Sequence, residues 1–216
     1  MISKLLRALK DRKWKRVINK FYYFPKIKSY GKNNAVNIAK TASTRRVSVE
    51  IYGDNNLVFF DEGTYLHNLS IRIGFPNCPV ENCVVRIGEN TSINAALIQL
   101  GESDSKVEIG SECMFSYGVE INCTDQHCIF DQNDELINIG KSVNIGSHVW
   151  VCKKVIVMKN SNVPDGCILA EGCVITKQFD KPNCIIAGVP ARVTKENIRW
   201  ERERPQNYLR KMNNMK

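Results

Sequence analysis

The chain has 216 residues, 43% of them hydrophobic, and a formal net charge of +9. That is enough apolar material to bury a core, and it excludes a disordered polyelectrolyte; the length suits one domain with attachments better than two equal halves. No apolar run reaches the length of a bilayer crossing, and the first residues lack the apolar segment and small-residue cleavage site of a secretory signal, so the expected location is the cytoplasm.

The charge is uneven. Residues 1–32 hold eleven lysines and arginines against a single acid, Asp11, which leaves the remainder near neutral. Within this region Ile2, Leu5, Leu6, Leu9, Val17, Ile18 and Phe21 recur at roughly helical spacing, before the aromatic cluster "FYYFP". Residues 1–33 therefore read as a basic amphipathic segment, one helix or a pair. Such a segment can lie on an anionic membrane, meet a polyanionic substrate or pack on its own protein, and charge alone does not choose.

From Asn34 to about residue 178 the chain turns to Ile, Val, Gly and Asn in short strand-like pieces. An aliphatic residue recurs every six positions at Ile139, Ile145, Val151, Val157, Val163, Leu169 and Ile175. A period of six is neither helical nor the alternation of a flat strand. It marks a mainly β fold, the parallel β-helix of hexapeptide repeats. In "IGSHVW", "VCKKVI" and "VPDGCI" the first residue points inward, and a small or β-branched fifth residue fills the corner. Ile109, Phe115 and Ile121 belong to the same count. Further upstream Ile51, Leu57, Leu69, Phe75, Ile87 and Ile93 share another phase, with insertions expected near "FPNCPVEN" and "GESDSK".

One stretch breaks the rule. In "CTDQHCIFDQND" the six-residue count puts His127, then Asn133, into slots meant for Val or Ile. The polar run that follows suits a loop excursion near 126–138. After Lys177, residues 179–216 form a closing segment and tail: Pro182 and Pro190 punctuate an extended stretch, and "KENIRWERER" reads as a terminal helix before Pro205. Nine cysteines, without CxxC pairs or histidine spacing, read as free thiols used as small apolar fillers, with no metal site.

These residues resemble the left-handed β-helix acyltransferases, the hexapeptide-repeat family that moves acetyl groups from acetyl-CoA. "TDQHCIF", "INIGKSVNIGSHVW", "KPNCIIAGVPARV" and "KENIRWER" are similar, over roughly residues 107–204, to bacterial polysialic acid capsule O-acetyltransferases. The resemblance implies a left-handed coil, a homotrimer with sites between subunits, and acetyl transfer to a sugar hydroxyl of a surface polysaccharide. It implies that His127 is the general base and that Trp150 belongs to the active site. By position it implies backbone contacts to acetyl-CoA at Ala170 and Glu171 and phosphate contacts at Lys177, Arg192 and Lys195. Histidine suits the proton transfer near neutral pH. Asp125 either orients that imidazole or shapes the turn at the end of the coil. Cys152 departs from the family, which commonly has Gly there.

Two other readings share the fold: a small-molecule acetyltransferase acting on serine, a galactoside or an antibiotic, and a scaffold without catalysis. Nucleic-acid binding rests on charge alone, with no recognisable motif. The basic residues 1–30 leave membrane contact, at the inner face, as a further expectation.

Overall fold

The computed structural model describes residues 24–214. The chain winds as a left-handed parallel β-helix, triangular in section, with three sheets of seven, six and eight strands that are parallel except for the last strand of the third. As far as Val174–Ile175, strands enter the sheets in rotation, so that Val119–Cys123 belongs to the first, Ser142–Ile145 to the second and Trp150–Val151 to the third. Each face thus presents one strand from every coil, and each of the three corners forms a column running along the axis.

Periodicity explains the core. Ile145, Val151, Val157, Val163, Leu169 and Ile175 are all buried, as are Ile109, Phe115 and Ile121. The fifth-position residues Val143, Val149, Val155, Ser161, Cys167 and Cys173 are buried beside them. A single column of aliphatic side chains results, with each coil packing only on its neighbours. Burial pushes the thiols up, Cys173 to about 11 and Cys123 to about 12, so these cysteines serve as small hydrophobes. Many corners are turned by asparagines held near φ +60°, among them Asn55 (58°), Asn160 (60°) and Asn183 (56°). Asparagine tolerates that conformation better than other side-chain-bearing residues, which accounts for its abundance here.

Several expectations need correction. The solenoid starts ahead of Asn34, because Lys26–Tyr30 is already a strand of the first sheet, paired with Ser48–Tyr52. It also continues beyond residue 178, since Ile185–Ala187 still pairs in parallel with Ile168–Leu169 before Arg192–Lys195 closes the sheet antiparallel. The upstream phase holds only in part: Leu57 and Phe75 are half-buried, and Val58 and Phe60 point inward instead. The reason is coil length. Late coils repeat every 18 residues, but early ones repeat every 22, because longer turns such as "GDNN" and "GESDS" join the first sheet to the second. The expected insertion at "FPNCPVEN" lengthens one step to 27.

Ile139 is not a core residue; it is exposed at the end of the excursion. The six-residue count survives across the excursion because that step spans 36 residues, twice a late coil. "KENIRWERER" is extended rather than helical, and the helix follows it at Pro205–Asn213, with Pro205 at its favoured first turn. The basic segment expected over residues 1–33 lies mostly outside the described residues. No helix among the described residues is long and apolar enough to cross a membrane.

Candidate active site

Three successive corners between the first and second sheets build a cavity of about 350 Å³. The uppermost is the tight hairpin Phe75–Cys78, whose end residues exchange backbone hydrogen bonds at 3.0 Å. Gly101 and Glu102 form the middle corner, and the excursion that leaves strand Val119–Cys123 supplies Thr124, His127 and Asn138. Amides and apolar side chains dominate the lining. Glu102 is its one carboxylate, and no lysine or arginine contributes.

His127 is exposed at this cavity, and its backbone is anchored independently of its ring. Asn138 Nδ2 donates to the His127 carbonyl at 2.8 Å and to Asp125 Oδ2 at 2.9 Å, while Asn138 Oδ1 accepts from the Ile129 N–H at 2.8 Å. One side chain therefore staples the outgoing and returning arms of the excursion. Lys159, from the next corner of the column, meets Asp125 Oδ2 at 2.6 Å. Burial raises the Asp125 carboxyl, but hydrogen bonds from Lys159 and Asn138 and the Lys159 charge outweigh it and hold it below the ordinary value. Among the described residues, the hydrogen bonds of the Asp125 carboxylate go to this pair rather than to the His127 imidazole. Of the two roles expected for Asp125, shaping the base of the loop is the one these contacts serve.

The loop tip is a short hairpin. Ile137 N–H donates to Ile129 O at 3.0 Å, Asp131 N–H to Glu135 O at 3.0 Å, and Phe130 bridges to Leu136. This finger leaves Ile129, Phe130, Leu136 and Ile137 in solvent, with Ile137 60% exposed.

Trp150 stands elsewhere, on the third sheet, which faces away from the corner that carries His127. It is half-buried against Trp200, ring centroids 5.9 Å apart and tilted by 45°. Trp200 in turn stacks on His148 at 4.1 Å and donates from Nε1 to the His148 carbonyl at 2.9 Å. Arg202 latches the same segment by donating to the Cys113 carbonyl at 2.7 Å and to Ser92 Oγ at 2.8 Å. The closing segment is thus a strap over the third sheet. His67 lies three strands from Trp150 in that sheet.

The remaining candidates are scattered in one chain. Ala170 and Glu171 turn the corner between the third and first sheets. The Ala170 N–H is given to Ile186 O at 2.9 Å and its carbonyl accepts from Cys173 at 3.1 Å, which leaves one carbonyl lone pair for a ligand. Arg192 and Lys195 are exposed on the closing strand. Lys177 is on the His127 corner column, its ammonium 5.3 Å from the Phe179 ring centre. Asn138, Lys159, Glu102 and Trp200 were missed by sequence reasoning. Two of them lay inside quoted motifs, Asn138 in "INIGKSVNIGSHVW" and Trp200 in "KENIRWER", without being singled out.

No family model matches the chain. A polysialic acid O-acetyltransferase of Neisseria meningitidis is 35% identical over 130 residues, a match that spans 52% of this chain and 60% of that relative. The structure of the polysialic acid O-acetyltransferase OatWY aligns at 31% identity and TM-score 0.67, over 82% of this chain and 92% of that one. The chain belongs to the polysialic acid O-acetyltransferase family. The polySia-specific acetyltransferase NeuO aligns at 25% identity and TM-score 0.66, covering 87% and 98%. By family the chain is an acyltransferase, and within one chain His127 and Trp150 stand apart.

Proposed function

We propose that the protein is an O-acetyltransferase that moves acetyl from acetyl-CoA to a hydroxyl of a bacterial surface polysaccharide, capsule or O-antigen, of the sialic acid-containing kind. The observation that carries this reading is His127, exposed at a cavity lined with amides and apolar side chains, in a chain of this family. Amide groups match sugar hydroxyls, and apolar walls match the C–H faces of a sugar ring.

In this reading His127 takes the proton of the acceptor hydroxyl as its oxygen attacks the thioester carbonyl. The C–S bond breaks, and the imidazolium returns the proton to the departing CoA sulfur. Two features support a homotrimer with sites between copies. His127 and Trp150 lie on opposite sides of one coil, so a single site holding both needs a neighbour's third sheet against the first chain's corner. The apolar finger next to His127 also needs a cover, and a second copy is the occupant that brings both together. Trp150 then walls the thioester, Ala170 and Glu171 offer backbone groups to pantetheine, and Arg192, Lys195 and Lys177 meet phosphates.

The test is a screen of purified capsular and lipopolysaccharide fragments for CoA release that depends on acetyl-CoA, with the acetylated product located by mass spectrometry. Release that stays equal with and without every saccharide would sink the reading.

The basic segment is proposed to recruit, at the inner face of the membrane or on a charged polymer. Because Lys26–Tyr30 is part of the first coil, a truncation has to stop before it. Removing residues 1–23 is expected to leave transfer to a short soluble acceptor within about twofold while transfer to a long anionic polymer, or sedimentation with anionic vesicles, falls. Added salt should mimic the loss, since attraction to an anionic surface is screened over about 8 Å at physiological ionic strength. Equal loss on short and long acceptors would show that the segment acts in the fold instead.

A further inference from the structure

Glu102 has no part in the mechanism above, yet it lies in the same cavity as His127. It sits one corner ahead of the excursion and touches both of its ends. On the outgoing arm, Thr124 Oγ1 donates to Glu102 Oε1 at 2.9 Å. The same hydroxyl oxygen accepts the N–H of Gln126 at 2.9 Å, and Gln126, at φ +63°, turns the chain directly into His127. On the returning arm, Gly140 passes so near that an added Cβ would lie 3.0 Å from Glu102 Oε2 and 2.4 Å from the Cys123 carbonyl oxygen. Only a residue without a side chain fits there.

Oε2 is buried and has no hydrogen-bond partner. Burial raises the Glu102 carboxyl; the Thr124 bond opposes that shift and the Asp125 charge adds to it. A carboxyl with one oxygen stripped of water costs folding energy, so its contribution must be sought in what its other oxygen holds. That oxygen holds the hydroxyl that fixes the turn before His127.

We propose that Glu102 is a positioning residue for His127, acting through Thr124 on the turn at Gln126 that delivers the imidazole to the cavity. The proposal rests on the acetyl-transfer reading only for its kinetic consequence; the linkage itself is independent of it. The amide of Gln126 reports the linkage directly. Glu102→Gln keeps an oxygen for the Thr124 hydroxyl, whereas Glu102→Ala and Thr124→Val each remove one end of the bond.

In full-length protein, Glu102→Ala and Thr124→Val should each lower kcat by roughly tenfold to a hundredfold, the scale of a misplaced catalytic group, with the acetyl-CoA KM within about twofold. Glu102→Gln and Thr124→Ser should stay within roughly threefold of wild type, and the Glu102→Ala/Thr124→Val pair should be no worse than the poorer single variant, because both cut one linkage. Hydrogen exchange at the Gln126 amide should accelerate at least roughly tenfold in Glu102→Ala and Thr124→Val and remain unchanged in Glu102→Gln, since its bond to the Thr124 hydroxyl is what opens.

Wild-type kcat in Glu102→Ala, additive losses in the double variant, or a Glu102→Gln as impaired as Glu102→Ala would each overturn the proposal. So would a loss accompanied by a lower melting temperature and a matching rise in the acetyl-CoA KM, the pattern of a merely structural residue. If wild-type protein transfers no acetyl group, the functional reading falls and the exchange result alone decides this one. If it does transfer and the variants change neither kcat nor exchange, the functional reading stands and this one falls.

Discussion

His127→Ala is expected to reduce acetyl turnover at least roughly a hundredfold, the usual contribution of a positioned general base, with little change in CoA affinity or melting temperature. The sharp separation of activity from folding follows from how the loop is held. Asn138 bonds the His127 carbonyl, Thr124 bonds the N–H of Gln126, and neither contact involves the imidazole. Alanine therefore removes the ring and leaves the excursion stapled. His148 is committed to Trp200 on another face, and His67 lies further along that face, so neither can substitute in the same chain. CoA release and thermal unfolding measured on the same preparation check this. Turnover near wild type would make His127 an ordinary loop residue.

Placing charge on the finger should be nearly as damaging, by a different route. Phe130→Asp combined with Ile137→Asp is expected to convert the proposed trimer into monomers and to lower turnover more than roughly tenfold, while the isolated coil unfolds at about the same temperature. Phe130 and Ile137 are 56% and 60% exposed in the single chain, so replacing them removes little from its core. Within an assembly each would contribute about 1.5–3 kcal/mol of apolar burial, and a carboxylate forced into the same place adds a desolvation cost. Light scattering alongside the transfer assay distinguishes the outcomes. A double variant that remains a fully active trimer would mean that the finger faces solvent, and a fully active wild-type monomer would remove the intersubunit site altogether.

The late coils were legible because their period is short and strict. Six residues per face, with Val, Ile or Leu at the first slot, leave little choice of architecture, and the buried column from Val143 to Ile175 follows it residue by residue. The early coils were blurred by corner length: four or five polar residues between the first two faces break the count without altering the stacking. Ile139 was misread for the opposite reason, since an insertion that stretches the step to twice a late coil preserves the count while taking the residue out of the core.

In the candidate site, His127 stood out as a polar residue in an apolar slot. Asn138, Glu102 and Lys159 did not, because their importance lies in contacts between corners that are distant in sequence and adjacent in space. Trp200 was obscured by a helical reading of "KENIRWERER". Its indole is buried against His148 and Trp150, and tertiary packing overrides local propensity there.

Axial neighbours in the late solenoid are joined by connections of 18 residues, and the coil bearing the excursion by one of 36. Closure entropy grows only with the logarithm of length, so this doubling costs about 0.6 kcal/mol. A zipper that folds by adding one turn to the last can therefore cross this step with scarcely more hesitation than any other. By this closure term, lengthening or shortening the finger barely touches the free energy that keeps the turns together. The stacking of the coils and the size of the loop that carries His127 are in this way decoupled, and the loop can vary while the stability of the solenoid stays nearly constant.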